Sequence, residues 1–133
     1  MGLDMFAYAV KNEGDFNSDE REELAYWRKH NALHAWMWDL WEEKGKPEFD
    51  PETMGGSFGE FNCAPVRLES QDLDRLEAAV IGRKLTPTGG FFWGDTDYSE
   101  EDWAYYRKED LAFIKKAKKA IDDGLVVYYN SWW

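Results

Sequence analysis

Residues Asn17 to Glu43 read NSDEREELAYWRKHNALHAWMWDLWEE and hold four of the eight tryptophans and both histidines of the chain. No Gly or Pro interrupts the stretch, and its Ala, Leu, Glu, Lys and Arg content carries high helix propensity. The pattern predicts one helix, roughly two to three times the average length, as the spine of an α+β or small α/β fold. Asn17 and Glu20 stand at capping-box spacing, Gly45 supplies a stop and Pro47 follows it.

At about 100° per residue, Leu33, Met37, Leu40 and Tyr26 fall on one face of that helix, with Trp27, Trp38 and Trp41 beside them. Arg28, Lys29, Asp39, Glu42 and Glu43 take the opposite face. His30 and His34, four residues apart, neighbour each other along the helix inside the aromatic arc, with Asn31 at its margin. Polar side chains in an apolar stripe need partners, because unpaired buried polar groups are costly. His30, Asn31 and His34, with the Trp27 and Trp38 rings as stacking walls, therefore form the candidate ligand-binding site.

On either side of this stretch the chain alternates between strand and helix patterns. Leu3 to Val10 (LDMFAYAV) reads as a first strand with apolar residues on both faces. Lys46 to Glu60 holds two prolines and three glycines and reads as a loop. Its Gly55 to Gly59 run lacks the lysine and the following helix of a phosphate cradle. Phe61 to Glu69 reads as a second strand, which Pro65 confines to an edge or to a bulge. Ser70 caps a short helix that stops at Gly82, with an apolar stripe of Leu73, Leu76, Val80 and Ile81. Thr88 to Gly94 reads as a third strand, and Asp95 to Asp97 as an acidic turn. Ser99 caps a helix running to about Asp123, where a shift of the apolar period at Arg107 to Asp110 predicts a break or a bend. Phe113, Ile114, Ala117 and Ile121 face inward, and Lys115, Lys116, Lys118 and Lys119 form a solvated basic face near its C-terminal end. Leu125 to Trp133 is the most β-prone segment, and its near-continuous apolar character predicts a central, two-sided strand. Four strands and three helices are expected in a single domain spanning 1–133, with a mobile connection at about 45–60.

Composition bounds the function classes. The 133 residues include 27 acidic and 16 basic side chains, for a net charge of −11. A field of that sign repels phosphate backbones and anionic membranes, so neither direct nucleic-acid binding nor membrane association is expected. It suits a basic partner or a cation. Aromatic residues make up 17% of the chain, enough to line a pocket or an interface as well as a core. The single Cys63 allows no internal disulfide, which fits a reducing cytoplasm. MGLDMFAYAV has neither the basic region nor the apolar run of a signal peptide, and Phe6 stands where N-myristoylation needs Ser or Thr.

The opening MGLDMFAY, the YWRKHNALHAW motif from Tyr26 to Trp36, the GGFFWG segment and the closing DLAFIKKAKKAIDDGLVVYYNSWW together resemble a family of small phage and bacterial proteins to which no function is attached. Some members carry the label phosphoglycerate kinase. That label does not transfer, since the kinase is a far longer two-domain enzyme and this chain has no nucleotide-binding glycine motif. The resemblance implies a phage or bacterial origin and, if phage-encoded, action in the host cytoplasm.

The reading that follows is a non-enzymatic binding or interaction protein needing no cofactor. Its partner would be a small molecule, such as a base stacked on Trp rings, or a host protein. The competing readings are an acidic inhibitor that engages a basic host protein, and a metal-dependent enzyme. In the latter, His30 and His34 bind one metal with a carboxylate from Asp4, Asp95 or Asp97. His-Asn-Ala-Leu-His lacks the glutamate that acts as base in the zinc-protease motif.

Overall fold

A computed structural model describes residues 2–16, 19–47, 61, 63–89 and 96–133. The two most β-prone segments, β1 (Asp4–Val10) and β4 (Val126–Trp132), pair at the centre of a four-stranded sheet. β2 (Glu22–Arg28) flanks β1, and β3 (Val66–Leu68) flanks β4, giving the order β2-β1-β4-β3 with every pairing antiparallel. The register sets Met5 against Ser131, Ala7 against Tyr129 and Ala9 against Val127; Phe6 faces Asn130 and Tyr8 faces Tyr128. Because side chains alternate between faces, these two sets lie on opposite sides. The first joins the main core, whereas Tyr8, Tyr128 and Val10 form a small separate cluster with Phe16 and Val126.

All three helices contribute to the main core: α1 (Asn31–Glu43), α2 (Ser70–Ile81) and α3 (Glu100–Asp122). The 23-residue α3 packs on α2 and reaches β2 and β4. It buries Phe113, Ile114 and Ala117, of which the two large side chains each contribute about 1.5–3 kcal/mol. Ser99 caps α3 and Asp102 answers from the third helical position, a reciprocal capping box. Glu69, rather than Ser70, caps α2, with Asp72 as its reciprocal partner and Gly82 as the stop. Lys44, just past α1, ties that helix to the start of α2: its Nζ donates to the Arg67 carbonyl at 2.6 Å and to Asp72 at 2.6 Å.

The expected long helix over 17–43 is two elements. Its first half is the edge strand β2, and only Asn31–Glu43 is helical. Local propensity loses here to tertiary pairing. Glu22 to Arg28 has a ready partner in β1, with Phe6 opposite Tyr26 and Asp4 opposite Arg28, and it sinks Leu24 and Trp27 into the core. Lys29, at φ 56°, turns the chain out of the strand, and its N–H donates to the Leu3 carbonyl at 2.8 Å. The longest helix is therefore α3, while the Trp-rich helix has 13 residues.

Other expectations hold or shift locally. β4 is central and β3 lies at an edge just after Pro65. Ile81, expected in the α2 stripe, is 53% exposed. α3 runs unbroken through Arg107 to Asp110. Thr88 and Gly89 are not in a strand, and 90–94, the rest of that expected strand, fall outside the described residues. So do Asn17 of the expected capping box, most of the 46–60 loop with its glycine run, and Asp95. Among the described residues, no helix is long and apolar enough to cross a membrane.

Candidate binding site

His30 precedes the first turn of α1 and has no solvent exposure. Its Nε2 lies 2.9 Å from an Asp110 carboxylate oxygen, and its Nδ1 lies 3.0 Å from the Tyr98 hydroxyl. The other Asp110 oxygen accepts from the Trp27 indole N–H at 3.0 Å. The Tyr98 hydroxyl accepts from the Ala32 backbone N–H at 3.1 Å. One assignment of protons satisfies every group. Nε2–H donates to the carboxylate, the Tyr98 O–H donates to Nδ1, and Ala32 N–H donates to the phenol oxygen. His30 is then neutral, stacked on Tyr106 with ring centroids 3.9 Å apart. Burial pushes the Tyr98 phenol well above its ordinary pKa, which keeps that O–H in place as a donor. Tyr98 also does for α1 what a capping side chain does, since His30 supplies no side-chain cap of its own.

Asn31 and His34 are equally buried. The Asn31 side-chain oxygen accepts from the Thr88 N–H at 3.0 Å, which ties the 84–89 segment to α1. His34 Nδ1 lies 2.7 Å from the Tyr129 hydroxyl, and its ring stacks on Phe61 at 5.3 Å with the Trp133 edge at 5.0 Å. Burial lowers the His34 pKa to about 3 and raises that of Tyr129 well above the usual range. His34 is thus a neutral core ring at any physiological pH.

The structure therefore places His30, Asn31, His34 and Trp27 in the interior, engaged with Asp110, Tyr98, Thr88 and Tyr129. Trp27 packs edge-on against Phe113 at 5.1 Å. The carboxylates considered as a third metal ligand lie elsewhere. Asp4 accepts from Tyr26 at 2.7 Å and from the Trp132 indole at 3.1 Å, and pairs with Arg28 at 3.3 Å. Asp97 is exposed. Among the described residues, no three His, Cys, Asp or Glu side chains form a metal-holding group.

Of the predicted site residues, Trp38 lines a surface depression among the described residues. With Trp36, Ala32 and Ala35 it walls a groove of about 470 Å³ between α1 and the 84–88 segment, where Lys84, Thr86 and Thr88 form the far side. Trp38 donates to Glu42 at 2.8 Å across its rim.

A second depression, of about 290 Å³, lies on the outward face of the sheet. Its walls are Phe6, Tyr8 and Trp132, with Arg21, Glu23 and Asn130 around them. The outward residues of the three neighbouring strands form an aromatic row here: Tyr26 stands 5.3 Å from Phe6, and Trp132 stands 4.9 Å from Phe6. Tyr26 is 50% and Trp132 53% exposed, although each anchors its polar atom on Asp4. That bond to Asp4 raises the Tyr26 pKa. Burial pushes Tyr8, deeper in the face, up to about 12. Arg21 lies 5.5 Å over the Tyr8 ring.

Sequence reasoning did not single out this outer face, because β2 was hidden inside the predicted helix. The available signal was the first strand, whose alternate residues Phe6 and Tyr8 are aromatic on the side opposite Met5 and Ala7. No protein-family model matches the chain, and no curated protein or solved structure is similar to it.

Proposed function

We propose that the protein is a non-enzymatic binding protein that captures a small planar molecule on the open face of its sheet. One observation carries the reading: Phe6, Tyr26 and Trp132 form a solvent-facing aromatic row beside a depression of about 290 Å³. Large rings left half exposed on a sheet face offer stacking area that folding itself does not use, and small-ligand sites combine such rings with a few polar groups. The buried histidines support the same reading from the other side. His30 is engaged at both ring nitrogens and His34 at Nδ1, and both rings lie in the core without solvent exposure, where they help to hold α1, α3 and β4 together.

The test is a tryptophan-fluorescence and thermal-shift screen of nucleobases, nucleosides and other heteroaromatic compounds against wild type and Trp132→Ala. A compound that quenches fluorescence and raises the melting temperature of wild type, but not of Trp132→Ala, supports the reading. If no compound responds, the planar-ligand reading falls.

The acidic surface supports a second reading, a basic host protein as partner. The net charge is −11, and Ile81 and Tyr105 are 53% and 60% exposed on the helical side of the molecule. A pull-down from host lysate whose captured protein is released at high salt favours this reading, while capture insensitive to salt counts against it. An origin in a phage or its host, implied by the sequence resemblance, suits either form of sequestration.

A further inference from the structure

The polar groups around the outer depression narrow the ligand class. A β-bulge puts one of them there. Ala7 pairs with Ala25 but Tyr8 pairs with Glu23, so Leu24 is the extra residue. Leu24 turns into the core at 6% exposure, and Glu23 is delivered to the outward face beside Tyr8. On the other side of β1, Asn130 stands opposite Phe6, and its side-chain oxygen accepts from the Ser131 N–H at 2.8 Å. The group Asn130 has left to offer is its amino group, a donor. Arg21 spends one guanidinium nitrogen on the Phe16 carbonyl at 3.1 Å and keeps the remaining N–H donors for the depression it lines.

A carboxylate, a guanidinium and an amide donor around three rings select against simple charges. A cationic ligand meets Arg21, and an anionic one meets Glu23 within a chain of net charge −11. A neutral planar heterocycle escapes both penalties, provided it has adjacent N–H donors for the carboxylate and a carbonyl oxygen for the donors. Strand spacing puts the Glu23 and Asn130 Cα atoms, two strands and two residues apart, at about 12 Å. That span takes one ring system with a hydrogen bond at each end. The volume lies at the small end of ligand pockets, which also points to a single base-sized group.

We infer that the sheet-face depression, lined by Phe6, Tyr8, Trp132, Glu23, Asn130 and Arg21, binds the 2-amino-4-oxo-pyrimidine edge found in guanine and in pterins. This inference rests on the planar-ligand reading above. The ring N–H and the exocyclic amino group of that edge both donate to Glu23, and the adjacent carbonyl accepts from Arg21 or Asn130. Adenine presents an acceptor nitrogen where this edge has its ring N–H, so it sets a lone pair against the carboxylate. The rings supply stacking, as on other sheet-face platforms for bases.

The experiment is calorimetric titration of the full chain with guanosine, neopterin and adenosine, for wild type, Glu23→Gln, Trp132→Ala and Trp36→Ala. Guanosine, neopterin or both bind at least ~10-fold tighter than adenosine, and the stronger of the two identifies the source of the edge. Glu23→Gln, at an exposed position, weakens that ligand by about 10- to 100-fold while leaving adenosine unchanged. Trp36→Ala, in the groove along α1, leaves binding intact. Equal affinity for adenosine and guanosine, or no effect of Glu23→Gln, overturns the edge assignment and leaves the planar-ligand reading standing. Binding that survives Trp132→Ala but is lost in Trp36→Ala overturns both, because the ligand then sits on α1.

Discussion

Replacing Asp110 by alanine tests whether the histidine of α1 is structural. Asp110 is 1% exposed and accepts two hydrogen bonds, from Trp27 Nε1 at 3.0 Å and from His30 Nε2 at 2.9 Å. Alanine leaves both donors buried without an acceptor. An orphaned buried donor costs about 1–3 kcal/mol, so the pair predicts a loss of about 4 kcal/mol, a large part of a typical domain stability. Asparagine keeps one oxygen and should lose about half as much. Its amino group then faces His30 Nε2, which must give up its proton and pass the mismatch to Tyr98. With a urea m-value of about 2 kcal/mol/M, Asp110→Ala lowers the unfolding midpoint by about 2 M at unchanged m. A triple apolar replacement (Trp27→Phe, His30→Phe, Asp110→Leu) should recover most of that loss, because it removes donors and acceptor together. If Asp110→Ala stays within about 1 kcal/mol of wild type, or a double-mutant cycle with His30 shows no coupling, the network is not what holds α3 to β2 and α1.

Tyr98→Phe removes both the hydrogen-bond donor to His30 Nδ1 and the acceptor for Ala32 N–H. It should cost about 2 kcal/mol and speed amide hydrogen exchange at Ala32 ahead of the rest of α1. His34 has its pKa lowered to about 3, so below its unfolded value the unfolded chain takes up a proton that the native state refuses. Its contribution is intact above about pH 6.5 and falls as the pH drops. Between pH 7 and 5 this removes about 2 kcal/mol of stability in urea titrations, a slope that His34→Gln should lack. Lys44→Met leaves buried Asp72 without its partner at 2.6 Å and the Arg67 carbonyl without its donor, and should lower thermal stability by about 2–3 kcal/mol. Trp132→Ala should change folding stability by less than about 1 kcal/mol in the same assays, because its ring is more than half exposed.

The parts of the fold legible in the sequence are those where local and tertiary signals agree. α3 begins at a serine with an acid three residues on, and β4 is β-branched or aromatic at every position but Asn130 and Ser131, so both stand where the pattern puts them. Glu22 to Arg28 is the opposite case. Glu, Leu, Ala and Arg favour a helix there, and only the long-range pairing with β1 and the Asp110 acceptor for Trp27 reverse the preference. The histidine pair was correctly seen as needing partners, but the partners come from 80 and 95 residues away in sequence and carry no local mark. One mark did exist. The shift in the apolar period of α3 at Arg107 to Asp110, which predicted a break or a bend, reflects an aspartate on the buried side of a straight helix.

The division between a committed interior and an uncommitted outer face follows from this placement. Five polar groups, those of Trp27, His30, Asp110, Tyr98 and Ala32, close on one another, and such a closed set gains nothing from a ligand. Opening it to bind one would leave a carboxylate or an indole N–H unpaired in the core. The outer face has the reverse economy: Tyr26 and Trp132 have already satisfied their polar atoms on Asp4, so covering their rings removes apolar area from water without stranding a donor. At about 25 cal/mol per Å², aromatic area exposed in this way favours binding, whereas the histidines favour folding. A substitution series should therefore separate cleanly, with Asp110, His30 and Tyr98 variants losing stability before affinity, and Phe6, Glu23 and Trp132 variants losing affinity with the fold intact.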